Sequence, residues 1–332
     1  MHQTNLFLTS LLKHVYCHKT KTAYYETIIS KPLKTIMAYD SFISIKNKLY
    51  TMKKYLTLSL LIFCSVVAFG QSKVVCCSKP SATQQFAMLA SNRAFVKSHK
   101  NPVKFHYQST IGKSINYKTP DGKEATAFEL KAKRATNNYL FVIHEYWGLN
   151  DFVKKESETI YNDLDNVTVI DLDLYDGQVA TIREDAAKLM QSVKEDRAKA
   201  IIAGAIAYAG SHAHIATLGW CFGGGWSLQA SLMAGKQAVG CVMYYGMPEQ
   251  DVNRLKTLHC DVLGNFANKD QWINPKVVAK FDTDMKAAGK KLYLHQYDAD
   301  HAFANPSNPI YNAAAAKDAY AHTVEFLKAR LK

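Results

Sequence analysis

A single thiol stands at residue 221, in the stretch HIATLGWCFGGGWSLQA (214–230), between Gly219 and Gly223 at the end of an apolar run. A cysteine so placed is either a small apolar residue of the core or a nucleophile held at a sharp turn. Three other reactive groups follow apolar runs in the same way. They are Glu145 in NYLFVIHEYWG (138–148), Asp270 in CDVLGNFANKDQWI (260–273) and His301 in KKLYLHQYDADHAF (290–303). Thiol, carboxylate and imidazole thus come in the chain order nucleophile, acid, histidine. That is the set acyl transfer through a covalent intermediate requires. Asp298 and Asp300 compete with Asp270 as the partner of His301, but their closeness in sequence reads as a loop turn or surface.

The elements that position these groups follow from the apolar pattern. From about residue 112, apolar runs of five to seven residues alternate with helical stretches, which predicts a parallel sheet covered on both faces. The fold class is α/β, a doubly wound and mostly parallel sheet. SINYKTPDGKEATAFEL (114–130) reads as a hairpin turning at Pro120-Asp121-Gly122. Helices are expected at 151–164, 183–209 (one or two), 224–235, 275–289 and 311–331. In such a sheet the reactive groups gather at the carboxyl ends of the strands, and all four candidates fall there.

The Gly-x-Cys-x-Gly-Gly turn and the order of the acid and histidine match the nucleophile elbow of α/β-hydrolases, with cysteine in place of serine. Gly219 and Gly223 are expected because side chains two residues either side of the nucleophile would clash. HEYWG (144–148), GWCFGG (219–224), NKDQWI (268–273) and ADHAF (299–303) together make the chain resemble the dienelactone hydrolase family over about residues 112–331. The resemblance implies Cys221 as nucleophile, His301 as base, Asp270 as the residue orienting His301, and Glu145 as an extra carboxylate contacting the resting thiol. It also implies an oxyanion hole from the backbone N–H groups of Phe222 and Tyr146, and substrate contacts from Trp147, Tyr175, Trp272 and Phe303. The expected reaction is cleavage of a small ester or lactone through a thioester, without metal or organic cofactor. The alternatives are a broader carboxylesterase or thioesterase, or a non-catalytic ligand-binding relative.

The family member that acts on dienelactone holds its carboxylate with two arginines. Here Tyr175-Asp176-Gly177-Gln178 and Asn305 occupy those places, so both cations are missing and Asp176 adds negative charge. Arg183 is the one nearby replacement, read at a helix start. Other readings are weaker. Gly219-x-Cys221-x-x-Gly224 lacks the second glycine of a dinucleotide fingerprint. His212 and His214 have metal-compatible spacing but no evident third ligand.

The chain has 332 residues and a formal charge of +13, yet nine of its 41 basic residues and only two of its 28 acids lie in residues 1–70, so the rest carries +6. No Lys/Arg stripe with interleaved aromatics follows residue 71, which argues against nucleic acid. MKKYLTLSLLIFCSVVAFG (52–70) has the charged start, apolar run and small-residue end of a signal peptide. Its apolar run is too short for a confident spanning helix. The expected organisation is an upstream, non-native stretch at 1–51, a signal peptide at 52–70, an N-terminal extension with one short helix at 71–111, and the hydrolase domain at 112–332. An exported protein without a stable membrane span follows. Seven cysteines (17, 64, 76, 77, 221, 241, 260) include no CxxC pair, so no dithiol redox site is suggested.

Overall fold

The computed structural model describes residues 80–332, which form one compact unit. The expected signal peptide and the Cys76-Cys77 pair lie outside the described residues. Eight strands make one sheet: β1 (Lys113–Lys118), β2 (Glu124–Leu130), β3 (Asn138–Ile143), β4 (Thr168–Leu172), β5 (His214–Trp220), β6 (Ala238–Tyr244), β7 (Val262–Ala267) and β8 (Leu292–Tyr297). Their order is β1-β2-β4-β3-β5-β6-β7-β8. The six from β4 to β8 run parallel, and the β1–β2 hairpin adds two antiparallel strands at one edge. The hairpin turns at Gly122, whose φ of +80° suits glycine.

The helices are α1 (Ala82–Met88), α2 (Arg93–Ser98), α3 (Asp151–Asp163), α4 (Arg183–Ser192), α5 (Glu195–Ala209), α6 (Phe222–Ala234), α7 (Val252–Lys256), α8 (Pro275–Ala287) and α9 (Ala313–Arg330). Central strands read as continuous apolar runs because both faces are covered: β3, β4, β6 and β7 are buried almost throughout. The edge strand β8 is only half-buried. Helix starts follow capping chemistry. Asn150, Asn274 and Asn312 each accept a backbone N–H at the head of α3, α8 and α9, and Pro275 opens α8.

Residues 81–99 correct the expectation of an extension with one short helix. Two helices form, joined by a 3-10 turn at Leu89–Ser91. Ser81 and Gln84 make a reciprocal capping box on α1, and Asn92 caps α2. Phe86 and Phe95 are buried within the same hydrophobic core as the sheet. Burial of each ring contributes about 2–3 kcal/mol, so this segment is part of the domain. Ser81 donates to Glu195, Gln191 to Ser91, and the Arg183 N–H to Asn101, which ties it to α4 and α5.

Candidate active site

The loop from β5 to α6 has almost no length: Trp220 ends the strand, Phe222 starts the helix, and Cys221 lies between. Its backbone is forced to φ +55° and ψ −115°, a region costing a non-glycine residue about 1–3 kcal/mol. Close packing of α6 on the strand ends demands the flanking glycines. A Cβ on Gly219 would run into the backbone of Gly223, and one on Gly223 into the carbonyls of Ile143 and His144. Thr217 on β5 hydrogen-bonds the buried hydroxyls of Ser227 and Ser231 at 2.8 Å each, and Ser227 donates to the Val242 carbonyl. This polar seam fixes α6 against β5 and β6, and with it the position of the thiol.

His301, in the loop after β8, brings Nε2 to 3.2 Å from Cys221 Sγ and Nδ1 to 2.6 Å from Asp270 Oδ2. The other oxygen of Asp270 accepts the backbone N–H groups of Trp272 and Ile273 at 2.8 and 2.9 Å. Burial alone would raise the Asp270 pKa, but the His301 charge and these hydrogen bonds outweigh it and hold the carboxyl below its usual range. Burial would likewise depress His301, yet the Asp270 carboxylate and the Cys221 sulfur push it well above an ordinary histidine. Burial pushes the Cys221 thiol up, Glu145 adds to this, and His301 and the Phe222 N–H oppose it. The net shift of the thiol is upward, which disfavours the thiolate. Asp298 and Asp300 are exposed, with Asp298 paired to Lys269, so neither competes for His301.

Glu145 leaves the end of β3 on a loop locked by His144. The His144 Nδ1–H donates to the Glu145 carbonyl at 2.8 Å, and its Nε2 accepts the Leu174 N–H at 3.1 Å, so the ring is neutral and immobile. The Glu145 carboxylate accepts the side-chain amide of Asn305. Burial raises its pKa to about 7, with His301 pulling the other way.

The aromatic wall around His301 includes parts that sequence reasoning missed. Phe86, Phe95 and His99, all from the N-terminal segment, lie with ring centroids 6.4, 6.1 and 5.6 Å from the imidazole. Trp272 and Tyr245 complete it at 6.0 and 5.1 Å. Cys221 is wholly enclosed. His99 stacks on Tyr146 at 4.4 Å, its Nδ1–H donates to the Phe95 carbonyl at 2.8 Å, and its Nε2 is buried without a partner. Burial, then the neighbouring His301, lowers its pKa to about 3.

Of the four side chains expected to contact substrate, only Trp272 borders a cavity beside His301, shared with His99. The other three are buried. Phe303 is fully buried against Tyr245 and Tyr297. Tyr175 packs on His144 and Phe222 and donates its hydroxyl to the Tyr146 carbonyl. Trp147 lies edge-on to Tyr146. Tyr146 itself is clamped, its hydroxyl donating to the Arg183 carbonyl at 2.7 Å. The Arg183 side chain turns to Glu184. Asp176 pairs with Arg197, which also bridges to Asp121, so one cation is shared by two carboxylates. His212 and His214 are exposed and gain no third ligand among the described residues.

The dienelactone hydrolase family model matches residues 126–331, more than half of the chain. The chain belongs to the dienelactone hydrolase family. That membership places it among hydrolases of the ester-cleaving kind. A carboxymethylenebutenolidase of a Pseudomonas species is 28% identical over 151 residues, covering 44% of this chain and 62% of that protein. Carboxymethylenebutenolidase 1 of Cupriavidus pinatubonensis is 27% identical over 157 residues, covering 46% and 66%. The chain thus spans less than two thirds of the length of each of these relatives. Among solved structures, a dienelactone hydrolase-like promiscuous phosphotriesterase from metagenomic libraries superposes with a TM-score of 0.58 at 15% identity, covering 67% of this chain and all of that one. At that identity the likeness concerns the fold alone. It agrees with a mostly parallel eight-stranded α/β-hydrolase sheet.

Proposed function

We propose that this dienelactone hydrolase family member cleaves small, neutral esters or lactones through a thioester at Cys221. The observation that carries this reading is the continuous relay from Sγ to His301 to Asp270, at 3.2 and 2.6 Å. His301 accepts the Sγ proton as the sulfur attacks the carbonyl carbon, then gives it to the departing alkoxide. Asp270 keeps Nδ1 protonated, so that Nε2 is the basic nitrogen, and stabilises the imidazolium as it forms. Water, deprotonated in turn by His301, attacks the thioester and releases the acid. The N–H groups of Phe222 and Tyr146 receive the developing oxyanion. The N-terminus of α6 favours negative charge at the same place.

The neutral preference is supported by the absence of a free cation at the two places where the family's dienelactone-acting member has arginines. One is Asn305, committed to Glu145. The other lies beside Asp176, whose arginine neighbour is already paired. The segment 52–70 supports export as the setting, and a resting thiol kept protonated suits an oxidising compartment.

The test is hydrolysis of a panel of small esters and lactones by the full chain and by its Cys221→Ala variant. Wild-type turnover with trapping of an acyl group on Cys221 is expected. Equal turnover by the two proteins would overturn the reading.

A further inference from the structure

We propose that the enclosed site also binds a thiophilic divalent cation such as Zn2+, held by Cys221, His301 and His99. One ligand atom from each of these residues lies within 4.8 Å of the other two. All three residues are buried, and Cys221 and His301 are already 3.2 Å apart. Zinc bonded to sulfur at about 2.3 Å and to nitrogen at about 2.0–2.1 Å holds its ligands roughly 3.5 Å from one another. Side-chain shifts on the order of an ångström therefore close the triangle and leave a fourth position for water or a substrate oxygen.

The second observation is His99 itself. Catalysis as described makes no use of it, and its Nε2 has no partner although the residue is only 4% exposed, which leaves a buried acceptor unsatisfied. Its Nδ1–H is given to the Phe95 carbonyl, which fixes the ring with the Nε2 lone pair free. His301 is prepared in the same manner, with Nδ1–H on the Asp270 carboxylate. Histidine ligands to zinc are characteristically held by a carbonyl or carboxylate at the second nitrogen, and both kinds of support are present here.

On binding, the Sγ proton leaves to solvent, and the cation takes the sulfur and the His301 lone pair together. The hydrolytic reaction then has neither nucleophile nor base. The N-terminal segment, through His99, thus supplies a reversible off-state for the site. This last step rests on the hydrolase reading; the binding itself does not.

The experiment uses untagged full chain freed of metal with chelator, titrated with Co2+ as a spectroscopic stand-in for Zn2+. Subtracting the Cys221→Ala titration removes contributions from Cys17, Cys64, Cys76 and Cys77. A thiolate-to-cobalt charge-transfer band saturating at one ion per chain, and lost on adding Zn2+, is expected. In His99→Ala the affinity should fall by more than the roughly 10–100-fold that loss of a ligand's own supporting group costs. His99→Gln, which keeps a donor for the Phe95 carbonyl but loses the imidazole lone pair, should behave alike if the alanine variant folds poorly. Absence of the band, or an affinity unchanged in a folded His99 variant, overturns the proposal. An ester assay in parallel separates the two readings. Hydrolysis without a cobalt band defeats the metal site alone, and a band without hydrolysis defeats the hydrolase reading alone.

Discussion

Asn305 donates its side-chain amide to the carboxylate of Glu145, and both residues are buried. The same Asn305 carbonyl oxygen accepts the N–H and hydroxyl of Ser307 at 2.8 and 2.6 Å, so the amide cannot rotate toward a substrate. A position four residues beyond the base therefore serves to hold an internal carboxylate.

That arrangement predicts substrate preference. With Asn305 engaged and Asp176 paired to Arg197, neither of these two positions offers a cation to an anionic acyl group, and the lysines at the cavity beside His301 (Lys97, Lys100 and Lys269) lie elsewhere in the chain. A charge-assisted hydrogen bond contributes about 1.5–3 kcal/mol, so an acid-bearing ester should lose on the order of tenfold or more in kcat/KM against its neutral counterpart. Paired steady-state measurements decide this, and a preference for the acid would refute it.

Glu145 gives a pH dependence of stability. An unfolded glutamate titrates near 4.3, whereas in the fold burial raises Glu145 to about 7. The folded state holds the proton more tightly, so the stabilisation is complete below about pH 4.3 and is lost as pH rises through about 7. The full span corresponds to roughly 4 kcal/mol. Glu145→Gln has no such titration. Its stability relative to wild type, from urea unfolding, should increase between pH 5 and pH 8; a constant difference would contradict the assignment.

The same variant should make the thiol more reactive. Glu145 opposes ionisation of Cys221, and removing a like charge lowers the thiol pKa. Alkylation of Cys221 at pH 8 and loss of activity in air should both quicken in Glu145→Gln. Identical rates would mean that the carboxylate does not protect the sulfur.

Asp270→Asn should leave the fold standing, because an amide oxygen can still accept the Trp272 and Ile273 N–H groups. It removes the charge that stabilises imidazolium and disturbs the tautomer, so kcat should fall by about 10^4. Circular dichroism beside the ester assay separates this from misfolding.

Phe95→Ala tests the wall over the triad. Phe95 contacts His99, Trp272, Tyr146 and His301 and has no exposed surface. Its truncation should cost about 3–5 kcal/mol of stability and speed alkylation of Cys221 relative to Cys241, which lies buried in β6. Unchanged labelling would show that the sulfur is reached from another side.

Much of the site was legible because its signals are local. A strand that turns directly into a helix needs glycines at 219 and 223, and four strand ends each carry their reactive group within a few residues. Where the reading failed, the deciding contacts were distant in sequence. Trp147, Tyr175 and Phe303 stand in the right loops, but whether an aromatic ring faces a cavity or the core depends on what packs behind it. His99 carried no signal as a site residue. Its neighbours His301 and Trp272 come about two hundred residues later, and the apolar spacing of Phe86 and Phe95 marks only a buried face.

The same separation bears on how the chain assembles. α1 and α2 have seven and six residues, far below the length at which an isolated helix persists in water. Their docking surface comes from α4, α5 and α6 as well as from Trp272 and His301, so every partner that orders them follows them in the chain. Their contacts are complete only once β8 and its loop have joined the sheet, a closure that spans most of the domain. Until then the nascent sulfur and imidazole stand open to solvent. Enclosure of the thiol therefore draws on both ends of the domain, and a chain truncated before His301 lacks one wall of it.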